Sequence, residues 1–184
     1  MTINDFNPVQ TTPYSKKRKL KIYLWKFVNK TIFRIIPNQI RKPRVLLLKM
    51  FGATIADTVF IHRNSNIEQP WNLTMGHLSS IGEYSWIYCL DKITIGQKCT
   101  IGKDSYLITG SHDINDKAFE QTTKPIVIKD GCWITTGVYI MPGVILEEFT
   151  VVAARSVVLK NTQPFDIVGG FPAKFIKKRE FSDN

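Results

Sequence analysis

The chain of 184 residues carries three histidines, and one of them, His112, stands where proton transfer is plausible chemistry. The segment LITGSHDINDKAFEQTTKPIVIKDG, Leu107 to Gly131, sets the imidazole beside Asp113 and a few residues after the aliphatic Leu107. An imidazole titrates near neutrality, so a positioned histidine can take a proton from a weak nucleophile such as an alcohol. Asp113 has two uses open to it: orienting or supporting the imidazolium, or capping a turn in the loop. Cys89, Cys99 and Cys132 form no CxxC pair and are odd in number, which points to neither a disulfide framework nor a zinc knuckle. With only His112 well placed as a ligand, no metal is expected.

A base on a loop is useful only if a stiff frame aims it. The frame is a repeat. Ile55, Ile61, Ile67; Met75, Ile81, Ile87; Ile95, Ile101, Leu107; Ile128, Ile134, Ile140; and Leu146, Val152, Val158 recur at steps of six within each group of three. The fifth place of the hexads is small or β-branched, as at Ser65, Ser85, Cys99, Ser105, Cys132, Val138 and Ser156. Such a period fits neither a helix nor an indefinitely alternating strand. It fits short strands separated by bends, three to a coil, with coils stacked over a column of aliphatic side chains. Gly82, Gly96 and Gly102 follow an aliphatic position directly, while Gly131, Gly137 and Gly143 lie three places after one; both sets suit corners. His62 and His77 fall at corner-like offsets and read as surface residues. Between Leu107 and Ile128 the step grows to 21 residues, marking 108–125 as an inserted loop. The organisation expected is a basic extension over 1–50, an all-β coil domain over 51–163 and a short C-terminal tail over 164–184.

IGQKCT, IGKDSY, the SHD loop, IVIKDGCWITTGVYIMPGV, VVAARSVVLKN and GGFPAKFIKKR resemble the hexapeptide-repeat acyltransferases. FGATI, PWNLTMG and TGSHDINDKAF resemble most the colanic-acid and exopolysaccharide O-acetyltransferases of that superfamily. The resemblance implies a left-handed parallel β-helix, against the usual right-handed crossover, and an acetyl-CoA-dependent transfer to a sugar hydroxyl with His112 as the base and no acyl-enzyme. It implies that Trp133, in an outward slot, borders the CoA groove, although burial between subunits is also open to it. Gly137, Ala153 and Ala154 leave room for a pantetheine arm, and Lys174 and Lys177 meet the CoA phosphates or are simply solvated. Asp91, before KITIG, corresponds to an acceptor-contacting position or is a turn acid. Relatives commonly carry Asn where this chain has Cys89, and GNPAK where it has GFPAK. The resemblance further implies a homotrimer with three shared sites and a glycan acceptor. An antibiotic or small-molecule acetyltransferase and a non-catalytic β-helix scaffold are the alternatives.

Charge is unevenly spread: residues 1–50 hold twelve of the 25 Lys/Arg and a single acid, Asp5. In KKRKLKIYLWKFVNKTIFRII, Leu20, Leu24, Val28, Ile32 and Ile35 mark one helical face, with Trp25, Phe27 and Phe33 widening it, and Pro37 ends the pattern. A basic amphipathic helix either lies on an anionic membrane or packs on the coils with its lysines solvated. No nucleic-acid motif accompanies the charge. The cysteine usage, the lack of a signal-peptide pattern at the start and the lack of a run of roughly 20 apolar residues lead to an expected cytoplasmic setting, with peripheral contact at the inner membrane face as one variant.

Overall fold

The structure, a computed structural model, describes residues 3, 7, 8 and 14–182. Two- and three-residue strands stack into three parallel sheets that wall a triangular prism. The first sheet is Thr54–Ile55, Leu73–Met75, Ile93–Ile95, Ile126–Ile128 and Ile145–Leu146. The second runs Phe60–Ile61, Ser80–Ile81, Thr100–Ile101, Trp133–Ile134, Val151–Val152 and Asp166–Gly170, with Ala173–Lys178 added antiparallel at its edge. The third is Asn66–Ile67, Trp86–Tyr88, Tyr106–Ile108, Tyr139–Ile140 and Val157–Val158. All fifteen aliphatic positions of the repeat point inward and none is more than 6% exposed. They stack in register, Ile61 on Ile81 on Ile101 on Ile134 on Val152. The small fifth-place residues are buried too. Their hydroxyls are satisfied across coils: Ser85 Oγ donates to the Gly102 carbonyl at 2.8 Å and Ser105 Oγ to that of Thr135 at 2.9 Å.

The two classes of glycine differ in physical role. Corner residues three places after an aliphatic position adopt left-handed φ: Leu78, Tyr84, Lys98, Asp104, Gly131, Gly137, Gly143, Phe149 and Arg155. Gly137, at φ 69°, suits such a corner, although Lys98 and Arg155 hold the same conformation at equivalent places. Gly102 is not in that region; a Cβ there would lie 2.5 Å from the Thr135 carbonyl oxygen of the next coil. Its lack of a side chain sets the coil spacing. Gly102→Ala is therefore expected to destabilise by about 1–3 kcal/mol, the range for overpacking a rigid interior; an unchanged melting curve would contradict this.

Stacking leaves each end open. Backbone N–H groups of one coil donate to carbonyls of the next, as Asn66 to Ser85 and Glu68 to Ile87, so the carbonyls of the first coil have no preceding coil to serve them. Helices occupy that end: α1 (Lys16–Lys30), α2 (Ile32–Ile35) and α3 (Arg41–Met50). Trp25 of α1 is fully buried and donates its indole N–H to the Ile67 carbonyl at 2.6 Å. Phe33, Val45 and Leu48 join it in the core. Lys26 pairs with Glu68 at 3.0 Å and Arg18 donates to Gln69 at 2.9 Å. The helical face expected from the sequence is split: Trp25, Val28 and Phe33 are buried, whereas Leu20, Leu24, Phe27, Ile32 and Ile35 are exposed. The buried stripe runs instead through the half-buried Arg18 and Ile22 to Trp25 and Asn29, because an indole with a carbonyl to serve outweighs a more regular leucine spacing.

At the other end, the segment read as a tail forms a hairpin. Asp166–Gly170 pairs parallel with Val151–Val152, and Ala173–Lys178 folds back on it, which protects the edge of the second sheet.

Candidate active site

The inserted loop is also a hairpin. Gly110–His112 pairs antiparallel with Gln121–Thr123, His112 opposite Gln121, and it projects from the corner between the third sheet and the first. Its root is fastened to the coil before it. Thr109, fully buried, donates to the Tyr88 carbonyl at 2.9 Å and accepts from the Asp91 N–H at 3.0 Å. Asp91 Oδ2 accepts from the Thr123 hydroxyl at 3.1 Å and its Oδ1 from the Lys92 N–H at 2.7 Å. Asp91 thus ties down the returning strand.

His112 is exposed and held from two sides by one residue. Its ring lies flat on Phe119, centroids 4.5 Å apart and planes within 3°, and its Nδ1 is 2.8 Å from the Phe119 carbonyl oxygen. A carbonyl has no proton to give, so Nδ1 carries the hydrogen, and in the neutral ring Nε2 keeps its lone pair. Phe119 reaches both positions from a left-handed backbone, φ 49°, a conformation uncommon for a bulky residue and concentrated at functional sites. Asp116 supports this turn, accepting from the Ala118 and Glu120 N–H groups at 3.0 and 3.3 Å. Asp113 is occupied elsewhere: its Oδ1 accepts from the Asn115 N–H at 2.9 Å. Of its two expected uses the geometry supplies turn capping, and the group that orients the imidazole is a backbone carbonyl. Neither Phe119 nor Asp116 was marked in the sequence, since a stacked ring and a main-chain acceptor leave no spacing signature.

Beside this hairpin a cavity of about 330 Å³ opens against α1, lined among others by Tyr14, Lys19, Tyr23, Glu68, Tyr88 and Gln121. Cys89 does not reach it. The thiol is fully buried, 3.2 Å from the Gln69 carbonyl to which it donates, and burial pushes it up to about 12. Cys132 is likewise raised, through its hydrogen bond with Cys99 and by burial. Cys99 is lowered by the same hydrogen bond, but like the other two it is buried and out of reach of a substrate. His77 is bonded to the Thr58 hydroxyl at 2.9 Å, and burial lowers the pKa of His62. Among the described residues no cluster of His, Cys, Asp or Glu is arranged to hold a metal ion.

Trp133, half exposed, lies on the outer face of the second sheet. Register carries its row through Val151 and Ile167 to Lys177, three strand spacings and so about 14 Å away. Gly137 and Arg155 stand on stacked corners beside it, with the Ala153–Ala154 pair just before the second. Lys174 is on the last strand and borders a separate cavity of about 410 Å³ with Lys160 and Phe175. The triangular section keeps the Trp133 row from His112: the corner between the third and first sheets lies across the prism from the second. One chain therefore presents the imidazole and the Trp133 row on opposite sides.

No family model matches the chain. A protein of Escherichia coli (strain K12) named as a colanic acid biosynthesis acetyltransferase, WcaF, is 40% identical over 160 residues, 87% of this chain and 88% of the relative. Two crystal structures share the fold. The maltose O-acetyltransferase of Clostridium difficile 630 superposes with a TM-score of 0.82 at 23% identity, covering 91% of this chain and 90% of its own. A hexapeptide-repeat acetyltransferase of Vibrio cholerae O1 biovar eltor, complexed with acetyl coenzyme A, gives 0.81 at 24% identity, covering 98% and 100%. With the stacked hexads, the hairpin-borne histidine and a relative of this identity along nearly its whole length, the chain belongs to the hexapeptide-repeat acetyltransferases, enzymes built on a left-handed parallel β-helix.

Proposed function

We infer that the chain transfers an acetyl group from acetyl-CoA to a sugar hydroxyl of an exopolysaccharide, O-antigen or lipid-linked glycan precursor. The observation that carries this is the Nδ1–H bond of His112 to the Phe119 carbonyl, which leaves Nε2 as a base on an exposed, rigidly rooted hairpin. Acetyl-CoA supplies an activated carbonyl. His112 takes the proton of the acceptor hydroxyl as the oxygen attacks that carbonyl, the C–S bond breaks, and the imidazolium returns the proton to the departing thiolate. With all three thiols buried, direct transfer needs no acyl-enzyme.

The residues fit a long thioester. Trp133 offers a half-exposed ring, Gly137, Ala153 and Ala154 add no bulk along the neighbouring corner, and Lys177 closes the same row with a cation suited to phosphate. Because the row from Trp133 to Lys177 stands across the prism from His112, the complete site joins His112 of one copy to the Trp133 row of another, as a cyclic trimer would allow. The stacked Tyr106 and Tyr139 rings, 4.6 Å apart on the third sheet, and Trp86 above them provide apolar surface for such packing. The tyrosine-lined cavity beside the hairpin takes the acceptor, whose sugar face suits aromatic walls. A lipid-linked acceptor would place the enzyme at the cytoplasmic membrane face.

The test is a scan of candidate glycans with acetyl-CoA, following release of free thiol and locating the new ester by NMR. Thiol release dependent on a glycan, with the ester on a sugar oxygen, is the expected result; acetylation of small-molecule amines or antibiotics alone would overturn it. Asp113→Asn keeps a turn-capping acceptor and is expected to stay within about threefold of the wild-type kcat; a hundredfold loss would restore an electrostatic role to Asp113.

A further inference from the structure

α1 has two apolar stripes, and the prism covers only one. Trp25 and Asn29 face the body. On the other side Leu20, Tyr23, Leu24 and Phe27 are 70%, 69%, 55% and 62% exposed, Tyr23 at the edge where it also lines the cavity beside the hairpin. At 3.6 residues per turn these four fall within an arc of about 100° roughly opposite Trp25. Large apolar side chains gathered on a water-facing helix surface mark an interaction site. Lys16 and Lys30 fall in or beside the same arc, and Lys17 borders it.

The charge identifies the partner. α1 contains no acidic residue, and none occurs anywhere between Asp5 and Asp57. Lys26 and Lys49, which face the body, are neutralised by Glu68 and Asp57, whereas no ion pair is found for Lys16, Lys17 or Lys30 among the described residues. An apolar stripe flanked by unneutralised lysines matches the interface of an anionic bilayer, in which apolar side chains enter the headgroup region and ammonium groups meet lipid phosphates. A groove of about 630 Å³ lined by Lys17, Leu20, Lys21, Leu24 and Trp71 extends that surface onto the first coil. No described helix is long and apolar enough to cross a membrane, so contact would be peripheral.

We propose that α1 is a membrane-adsorbing element that lays Leu20, Leu24 and Phe27 on an anionic lipid surface while Trp25 fastens the same helix to the prism. Adsorption is independent of acetyl transfer, and each reading can fail alone. The full chain is sedimented with vesicles of phosphatidylcholine, with and without phosphatidylglycerol. Wild type is expected to pellet with the anionic vesicles and to be released by salt. Leu20→Ser, Leu24→Ser and Phe27→Ser together should reduce binding roughly tenfold or more, with a circular-dichroism melt like that of wild type. Lys16→Gln, Lys17→Gln and Lys30→Gln should remove the preference for phosphatidylglycerol, on the order of fivefold per lysine. Wild type left in the supernatant, or the serine variant pelleting equally well, would overturn the proposal. So would failure to bind vesicles combined with a fall in oligomer mass in the serine variant, which would make the stripe a contact between copies.

Discussion

His112→Ala is expected to lower kcat for acetyl transfer by about 10²–10⁴, the usual contribution of a positioned general base, with little change in KM for acetyl-CoA. The side chain is exposed and lies on a hairpin outside the aliphatic column, so its removal leaves the core intact. What is lost locally is one bond to the Phe119 carbonyl and a flat ring contact, each worth about 1 kcal/mol and confined to the hairpin. The melting temperature should therefore hold while turnover collapses, and steady-state kinetics beside a thermal melt would show both. Retained turnover would remove the base assignment. Equal collapse of stability and rate would show that the imidazole is structural.

The second large effect concerns stability. Trp25→Ala is expected to destabilise the fold by about 3–5 kcal/mol, as for other fully buried aromatics. In a chain of this length that corresponds to a fall in melting temperature of roughly 6–20 °C. The indole fills the interior between Phe33 and Phe51 and also serves the Ile67 carbonyl of the first coil. Losing it exposes the open end of a repeat stack, where capping is required. Phe27→Ala, two residues away but 62% exposed, should change stability by less than about 0.5 kcal/mol. Melting curves of the pair decide it: equal small effects would mean that α1 does not cap the prism.

The contrast between these residues shows where the sequence is legible. The prism is readable because each coil repeats one physical problem. An inward aliphatic side chain, a small neighbour and a tight corner recur, so fifteen positions report the same environment, and all are buried. The caps solve single problems and leave no period. Nothing in KKRKLKIYLWKFVNK distinguishes Trp25, which meets an orphaned carbonyl, from Phe27, which meets solvent; the leucine spacing marks the stripe that faces away from the prism. The C-terminal hairpin was missed for a similar reason, since its strands leave the six-residue step.

At the candidate site, His112 stands out in the sequence through the interruption of the repeat. Its orienting partner does not, because a main-chain carbonyl presented by a left-handed Phe119 has no side-chain signature. Asp91 and Asp113 were legible as carboxylates near the loop, yet both serve its backbone and its strand pairing. Most informative is the separation of His112 from the Trp133 row by the body of the prism, which follows from counting sheets around the triangle. Sequence order alone makes them look like neighbours.

The central claim is that an imidazole on one copy faces a thioester lying along the second sheet of another. A crystal structure of the protein with CoA tests it most directly. The predicted result has the CoA sulfur within about 4 Å of a His112 Nε2, its arm passing Trp133 of a neighbouring copy. A sulfur bound far from every His112 in the assembly would contradict the account.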